Sequence, residues 1–461
     1  MSATPSATIN GQVSGWFDGL PESRPPLPGD RDADVCIVGA GYTGLWTAYY
    51  LKRADPGLRI VVLEARFAGF GASGRNGGWL SGLVPGDRHA MAEQYGRDAV
   101  VAWQRALNEA VDEVIAVADR EGIDAGIVKG GTLEIARNSA QAARLASSIA
   151  EERAWDVDGI EPLTTAEAAQ HIRFADVVAA YHTPHCARIQ PALLARGLAD
   201  AVERLGVQIY EQTPVTAIAK GRATTATGVV RAPIVLRATE GFTAALPGLR
   251  RRWLPMNSSM IATDPIPASL WADIGWEGRE TVGDTAHGFF YAQRTVDDRI
   301  AIGGRSVPYR YASRTDVDGR VPAKTIRHLS AVLHSVLPQV RDVPIAHGWC
   351  GVLAVPRDWD ASVVLDRATG LGAAGGYVGH GVTATNLAGR TLADLVLERQ
   401  TPITELPWVG HEAKNWEPEP LRWLGVRGLY VAYKVADWHE SRGRATTSPI
   451  ARVADVITAK P

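Results

Sequence analysis

The sequence predicts a mixed α/β fold in which a parallel, doubly covered sheet is interleaved with an antiparallel one. Three observations carry this. A short all-apolar run at 35–38 and a second strand pattern at 59–63, apolar from Ile60 on, flank a helical stretch near the start of the chain, as expected of strands buried on both faces. A hairpin-like pattern appears only after Gly288, where 289–294 and 299–303 flank Val296-Asp297-Asp298. Glycine is bunched at 39–44, 69–82 and 372–381, between apolar runs and helical patterns.

At 461 residues the chain has room for roughly three domains. Its 46% apolar and 21% charged residues describe a globular protein, not a disordered one. Forty-eight basic against 50 acidic side chains leave a net charge of −2, so the total favours neither nucleic acid nor an anionic membrane surface. Cys36, Cys186 and Cys350 are too sparse for a disulfide framework and fit a reducing compartment. The start, MSATPSATINGQ, lacks the regions of a secretory signal. The longest uncharged run, 35–51, holds three glycines and reads as strand, loop and helix, not as a membrane span. A soluble, cytoplasmic enzyme with no integral membrane segment is expected.

In chain order, 1–31 is a Pro- and Gly-rich arm expected to lie extended over the body. Strand 35–38, helix 45–53 and strand 59–63 form one βαβ unit. A long amphipathic helix follows through Val100, Trp103, Leu107, Val111, Val114 and Ala118. Segment 133–189 mixes helix and short strand without parallel-sheet character. Pro191 opens a further helix, followed by strands at 207–210, 213–218 and 233–238. Ile326, Leu329, Val332, Leu333 and Val336 mark another helix, and the glycine-laced segment 371–382 leads into a last long one. The predicted organisation is an arm (1–31), a discontinuous cofactor domain (32–95, 175–250, 346–400), a discontinuous substrate domain (96–174, 251–345) and a tail (401–461).

Gly39-Ala40-Gly41-Tyr42-Thr43-Gly44 spells G-x-G-x-x-G between strand and helix. The first glycine permits the tight turn, the second lets a pyrophosphate approach the backbone, and the third lets helix and strand pack closely. Glu64 ends the second strand 20 residues after Gly44, where a carboxylate accepts hydrogen bonds from a ribose diol. Together these predict a Rossmann-like dinucleotide site. Glycine-rich segments from both ends of the chain, GFGASGRNGGWLSG and GAAGGYVGHG, favour a ligand longer than NAD.

GAGYTGL with Glu64, the GASGRNGG loop and GGYVGHGV resemble the D-amino-acid-oxidase-type FAD-dependent oxidoreductases, as do HCARIQPALLARGLA, RATEGFTAALPG and YAQRTVDDRIAIGGR. The gamma-glutamylputrescine-oxidase-like subgroup is the most similar. The resemblance implies a Rossmann-like FAD-binding domain interleaved with an antiparallel-sheet substrate domain. It implies that Gly39, Gly41, Tyr42, Thr43 and Gly44 face the pyrophosphate, and that Glu64, Ala65 and Arg66 lie at the adenosine. Ser73, Arg75, Asn76, Gly77 and Gly78 would run toward the ring, Val215 would flank the adenine, and Ala238, Thr239 and Gly241 would close on the cofactor. Gly379, His380, Gly381, Val382 and Thr383 would lie at the isoalloxazine.

Sarcosine-oxidase-type relatives carry a substrate-holding Lys where this chain has Thr383, and an oxygen-activating Lys where it has Ala301. The resemblance therefore favours an amine without a carboxylate on its reacting carbon, with oxygen or another electron acceptor. Cys350 falls one residue from the place where some relatives attach flavin, so non-covalent FAD is expected. Tyr291, Arg305 and Trp349 are pocket candidates by family position, and His380 is a weak catalytic candidate; core or hairpin packing is the alternative for each. No catalytic base is assigned and no metal site is expected: His182 and His185 have metal-like spacing but read as loop structure.

The tail, with Trp423, Tyr430, Tyr433 and Trp438 among Arg and Lys, reads as a helix docking its aromatics, or else as an interfacial membrane helix. The expected reaction is hydride transfer from an amine C–H to the flavin, followed by imine hydrolysis to a carbonyl compound and an amine. The alternatives are an amino-acid oxidase of the glycine or sarcosine type, and a non-catalytic flavoprotein within an assembly.

Overall fold

The computed structural model describes residues 8–304, 309–442 and 446–451. A six-stranded sheet runs in the order Gln208–Tyr210, Ile60–Leu63, Val35–Val38, Ile234–Arg237, Leu371–Gly375, Ser362–Asp366, parallel except for its last pair. Its three central strands are nearly all Val, Ile and Leu because both faces are covered, one by helices and the other by a small sheet that includes Arg222–Thr225 and Val229–Arg231. Helix Tyr42–Ala54 packs against helix Gly381–Val396, so the two glycine-rich segments meet although some 340 residues separate them. Trp46 and Thr47 leave no space for a side chain at Gly389, which brings the two helices close.

A nine-stranded sheet forms the second layer, centred on Ile345–Val355, Leu254–Thr263, Ile300–Gly304 and Phe290–Arg294 in antiparallel register. The hairpin expected after Gly288 is present. The sheet departs from the sequence reading at two joins. Thr132–Ala136 lies parallel to Thr281–Asp284, although 133–189 showed no parallel character. The arm contributes Ile9–Asn10 as an edge strand parallel to Ile345–Val355, and its Arg31–Asp32 pairs with Val229–Arg231. Both pairings are long-range, and edge strands two residues long carry no periodicity to read.

Candidate cofactor and substrate site

Strand Val35–Val38 ends in a turn that only glycine can make. Gly39 has φ +111°, and a side chain there would strike the Ala238 carbonyl; one at Gly44 would strike the Gly39 carbonyl. The helix N-terminus so formed is met by the distal loop, because Ser73 Oγ accepts the Tyr42 N–H at 2.8 Å. The Tyr42 ring points away from this turn and its hydroxyl donates to the Pro191 carbonyl. Thr43 Oγ1 lies 3.0 Å from the Tyr377 hydroxyl, tying the first glycine turn to the last.

Glu64 turns its carboxylate back onto the motif. One oxygen accepts the Ala40 N–H and the other the Arg66 N–H, both at 2.9 Å. Burial raises its pKa while these backbone donors oppose the rise. Each oxygen keeps a lone pair for a diol. Gln212 and Thr213 donate to the Arg66 and Glu64 carbonyls, just ahead of the strand that begins at Val215. Ala238 donates to the Val38 carbonyl, Thr239 bonds Thr243, and Gly241 abuts Val352.

The loop from Arg75 to Gly78 is held carbonyl by carbonyl. Trp349 Nε1 donates to Arg75 O at 3.0 Å, Trp16 Nε1 to Asn76 O at 2.8 Å, and Gln293 Nε2 to Gly77 O at 2.7 Å. Asn76 caps the loop from within, bonding Ser73 and Gly78. Register places Trp349, Met260, Gly303 and Tyr291 in one row across the nine-stranded sheet. Ala262, Ala301 and Gln293 form the adjacent row. This face packs on the loop, and Tyr291 also bonds Ser258 at 2.8 Å and meets Trp79 edge-on.

The remaining candidates stand as follows. Arg75 does not reach toward the glycine turn. Its guanidinium is 1% exposed, donates to the carbonyls of Phe70, Asp316, Val317 and Cys350, and lies over the Phe70 ring. Desolvation lowers its pKa to about 10. Thr383 is fully buried and its hydroxyl has no hydrogen-bond partner. His182 lies in strand Ala179–Thr183, not in a loop, and bonds the Gly130 carbonyl, while His185 pairs with Asp158. Cys350 is buried, and desolvation pushes its thiol up to about 11. Arg305 lies outside the described residues.

His380 starts the helix Gly381–Val396, behind the exposed Gly379 and before the buried Val382. It borders a cavity of about 260 Å³ that also touches Val84, Asp87 and Glu151. Desolvation lowers the pKa of its imidazole, leaving it neutral. Sequence reasoning missed Trp16 and Gln293. Gln293 left a trace, being a polar residue at an inward position of an otherwise apolar hairpin strand, with an orphaned Oε1. Trp16 left none.

A glycine turn that a Cβ would fill, an acid folded back onto it and a second glycine turn at the first helix form a site for an extended dinucleotide. The chain belongs to the FAD-dependent oxidoreductase family, whose model, described as FAD dependent oxidoreductase, matches residues 34–395. Among individual proteins, it is 32% identical to gamma-glutamylputrescine oxidoreductase of Escherichia coli over 395 residues, covering 81% of this chain and 86% of that one. It is 24% identical to glycine oxidase of Bacillus licheniformis, covering 79% and 93%. Its fold matches the crystal structure of glycine oxidase from Geobacillus kaustophilus with a TM-score of 0.65 at 23% identity, covering 80% and 96%. The protein is thus an FAD-dependent oxidoreductase, and its donor set fits that cofactor.

Proposed function

We propose that the protein oxidises the C–N bond of an amine whose reacting carbon bears no carboxylate. The observation that carries this is that, among the described residues, Thr383 stands where the carboxylate-holding Lys of the sarcosine-oxidase type would be and no free cation replaces it. Thr383 is uncharged and sealed in the core, and Arg75 is committed to four carbonyls. A carboxylate brought out of water without a cation costs several kcal/mol. The similarity to gamma-glutamylputrescine oxidoreductase supports the same substrate class.

In this reading Gly39, Gly41, Gly44, Glu64 and Ser73 hold the dinucleotide end, and the turn Gly379–Val382 holds the ring end. FAD, when bound, supplies the two-electron acceptor for oxidation of the amine to an imine, which water hydrolyses. The chain supplies a dry face, Tyr291, Met260, Ala301 and Trp349, against the loop 75–78. A pocket of this polarity keeps an amine neutral and ready to react without a dedicated base. The six-stranded sheet with its helices is assigned to the cofactor and the nine-stranded sheet to the substrate. Ala301, buried and unable to carry charge, leaves the electron acceptor open to oxygen or another oxidant.

Among the described residues no helix is long and apolar enough to cross a membrane. Three free, buried cysteines support a cytoplasmic setting. The test is which substrate class bleaches the flavin anaerobically: bleaching by amines at concentrations where glycine and sarcosine are inert supports the reading.

A further inference from the structure

The helix Leu421–Glu440 lies beyond the segment that matches the family and presents an unusual outer face. Every exposed residue within it is apolar, glycine or basic. Leu421, Leu424, Val431, Val435 and Trp438 are 38–62% exposed and recur at three-, four- and seven-residue steps, a single stripe along about 30 Å of helix. Arg427 and Lys434 border the stripe, and Arg442 stacks on Trp438 at 3.7 Å. The helix's two carboxylates are turned inward. Asp437 accepts the N–H groups of His287 and Gly288, and Glu440 pairs with Arg144.

A second observation lies beside the first. Between this helix and the segments 242–250 and 310–315 is an open cavity of about 970 Å³, lined by Arg250, Arg310, Arg314, Arg427, Tyr311 and Trp423 among others, with no acidic residue among the described residues that line it. Arg310 pairs with Asp316, and Arg250 donates to the Ala312 carbonyl. Arg427 lies over Trp423, and Arg314 is exposed.

We propose that this face docks the protein on an anionic phospholipid bilayer, with the helix in the plane of the interface. The stripe enters the headgroup–acyl boundary, Trp438 sits at headgroup depth, and Arg250, Arg314 and Arg427 receive lipid phosphates. An apolar stripe with basic borders and an aromatic end is the pattern of interfacial helices. Charge selects this occupant over a second copy of the chain, because two such faces would bring basic borders together with no exposed carboxylate on the helix to meet them. The near-neutral net charge hides the patch because acidic residues elsewhere balance it.

The test is flotation of the flavin-loaded full chain with vesicles of phosphatidylcholine alone, or of phosphatidylcholine mixed with phosphatidylglycerol. Flotation with the mixed vesicles only, reduced by salt, is expected. Leu424→Glu with Val431→Glu, both at exposed positions, is expected to weaken partitioning about tenfold or more, as is Arg314→Glu with Arg427→Glu. Unchanged circular dichroism and flavin content show that the variants are folded. No flotation, equal flotation with both vesicle types, or either double variant floating like the parent would overturn the proposal. So would a stripe-dependent dimer seen by sedimentation velocity without vesicles.

Discussion

The indole N–H of Trp349 donates to the carbonyl of Arg75 at 3.0 Å, joining the nine-stranded sheet to the loop expected to run under the flavin. Both residues are essentially inaccessible, so water cannot replace that bond. Trp349→Phe keeps an aromatic ring against Trp16 and leaves a buried carbonyl unpaired. It is expected to cost about 1–3 kcal/mol of stability and to weaken flavin retention. Denaturant unfolding of the flavin-free protein and flavin-release rates check this; parent-like values in both would show that Trp16 and Gln293 suffice to hold the loop.

Glu64→Ala is expected to weaken FAD binding by the worth of its charge-assisted hydrogen bonds, roughly 1.5–3 kcal/mol. Titration of the flavin-free variant with FAD measures it. An unchanged affinity in a folded variant would remove Glu64 from the ribose.

Cys350 is a buried thiol whose pKa is raised by desolvation to about 11, so it is protonated and a poor nucleophile. Acid precipitation is therefore expected to release all flavin into the supernatant, and Cys350→Ser to keep its yellow colour. Flavin retained on the precipitated chain would point to a covalent bond.

Asp360 gives a pH dependence of known sign. It is 7% exposed, and desolvation raises its pKa to about 6, though it accepts the Asp87 N–H. The folded state therefore holds this proton more tightly than the unfolded chain, whose aspartate titrates near ~4. Its contribution to stability is full below ~4 and is lost as pH rises to about 6. Asp360→Asn keeps an acceptor for Asp87, and is expected to gain on the order of 1–3 kcal/mol at pH ~8 and little at pH ~4. Unfolding at the two pH values measures this, and an equal effect at both would contradict it.

The parts of the site written in local spacing were legible in the sequence. Gly39, Gly41 and Gly44 encode a turn within six residues, and Glu64 falls where a βαβ unit must put it. Residues acting across the fold were not legible in local spacing, and Trp349 was a candidate by family position alone. Trp16, Gln293 and Trp349 converge on three successive carbonyls from segments more than 50 residues apart. No periodicity records such convergence. Arg75 was expected only as part of the loop running toward the ring; that the carbonyls of Val317 and Cys350, remote in sequence, take up its donors left no local signal. The join between Thr132–Ala136 and Thr281–Asp284 was hidden for the same reason.

The central claim is that amines without a carboxylate on the reacting carbon are the substrates. Anaerobic stopped-flow reduction of the flavin tests it most directly, comparing alkyl amines and polyamine derivatives with glycine, sarcosine and D-alanine at one pH. With Thr383 uncharged and buried and Arg75 bound to carbonyls, the amines are expected to bleach the flavin at far lower concentration. A small amino acid that reduces the flavin at least as efficiently as every amine tested would contradict the account.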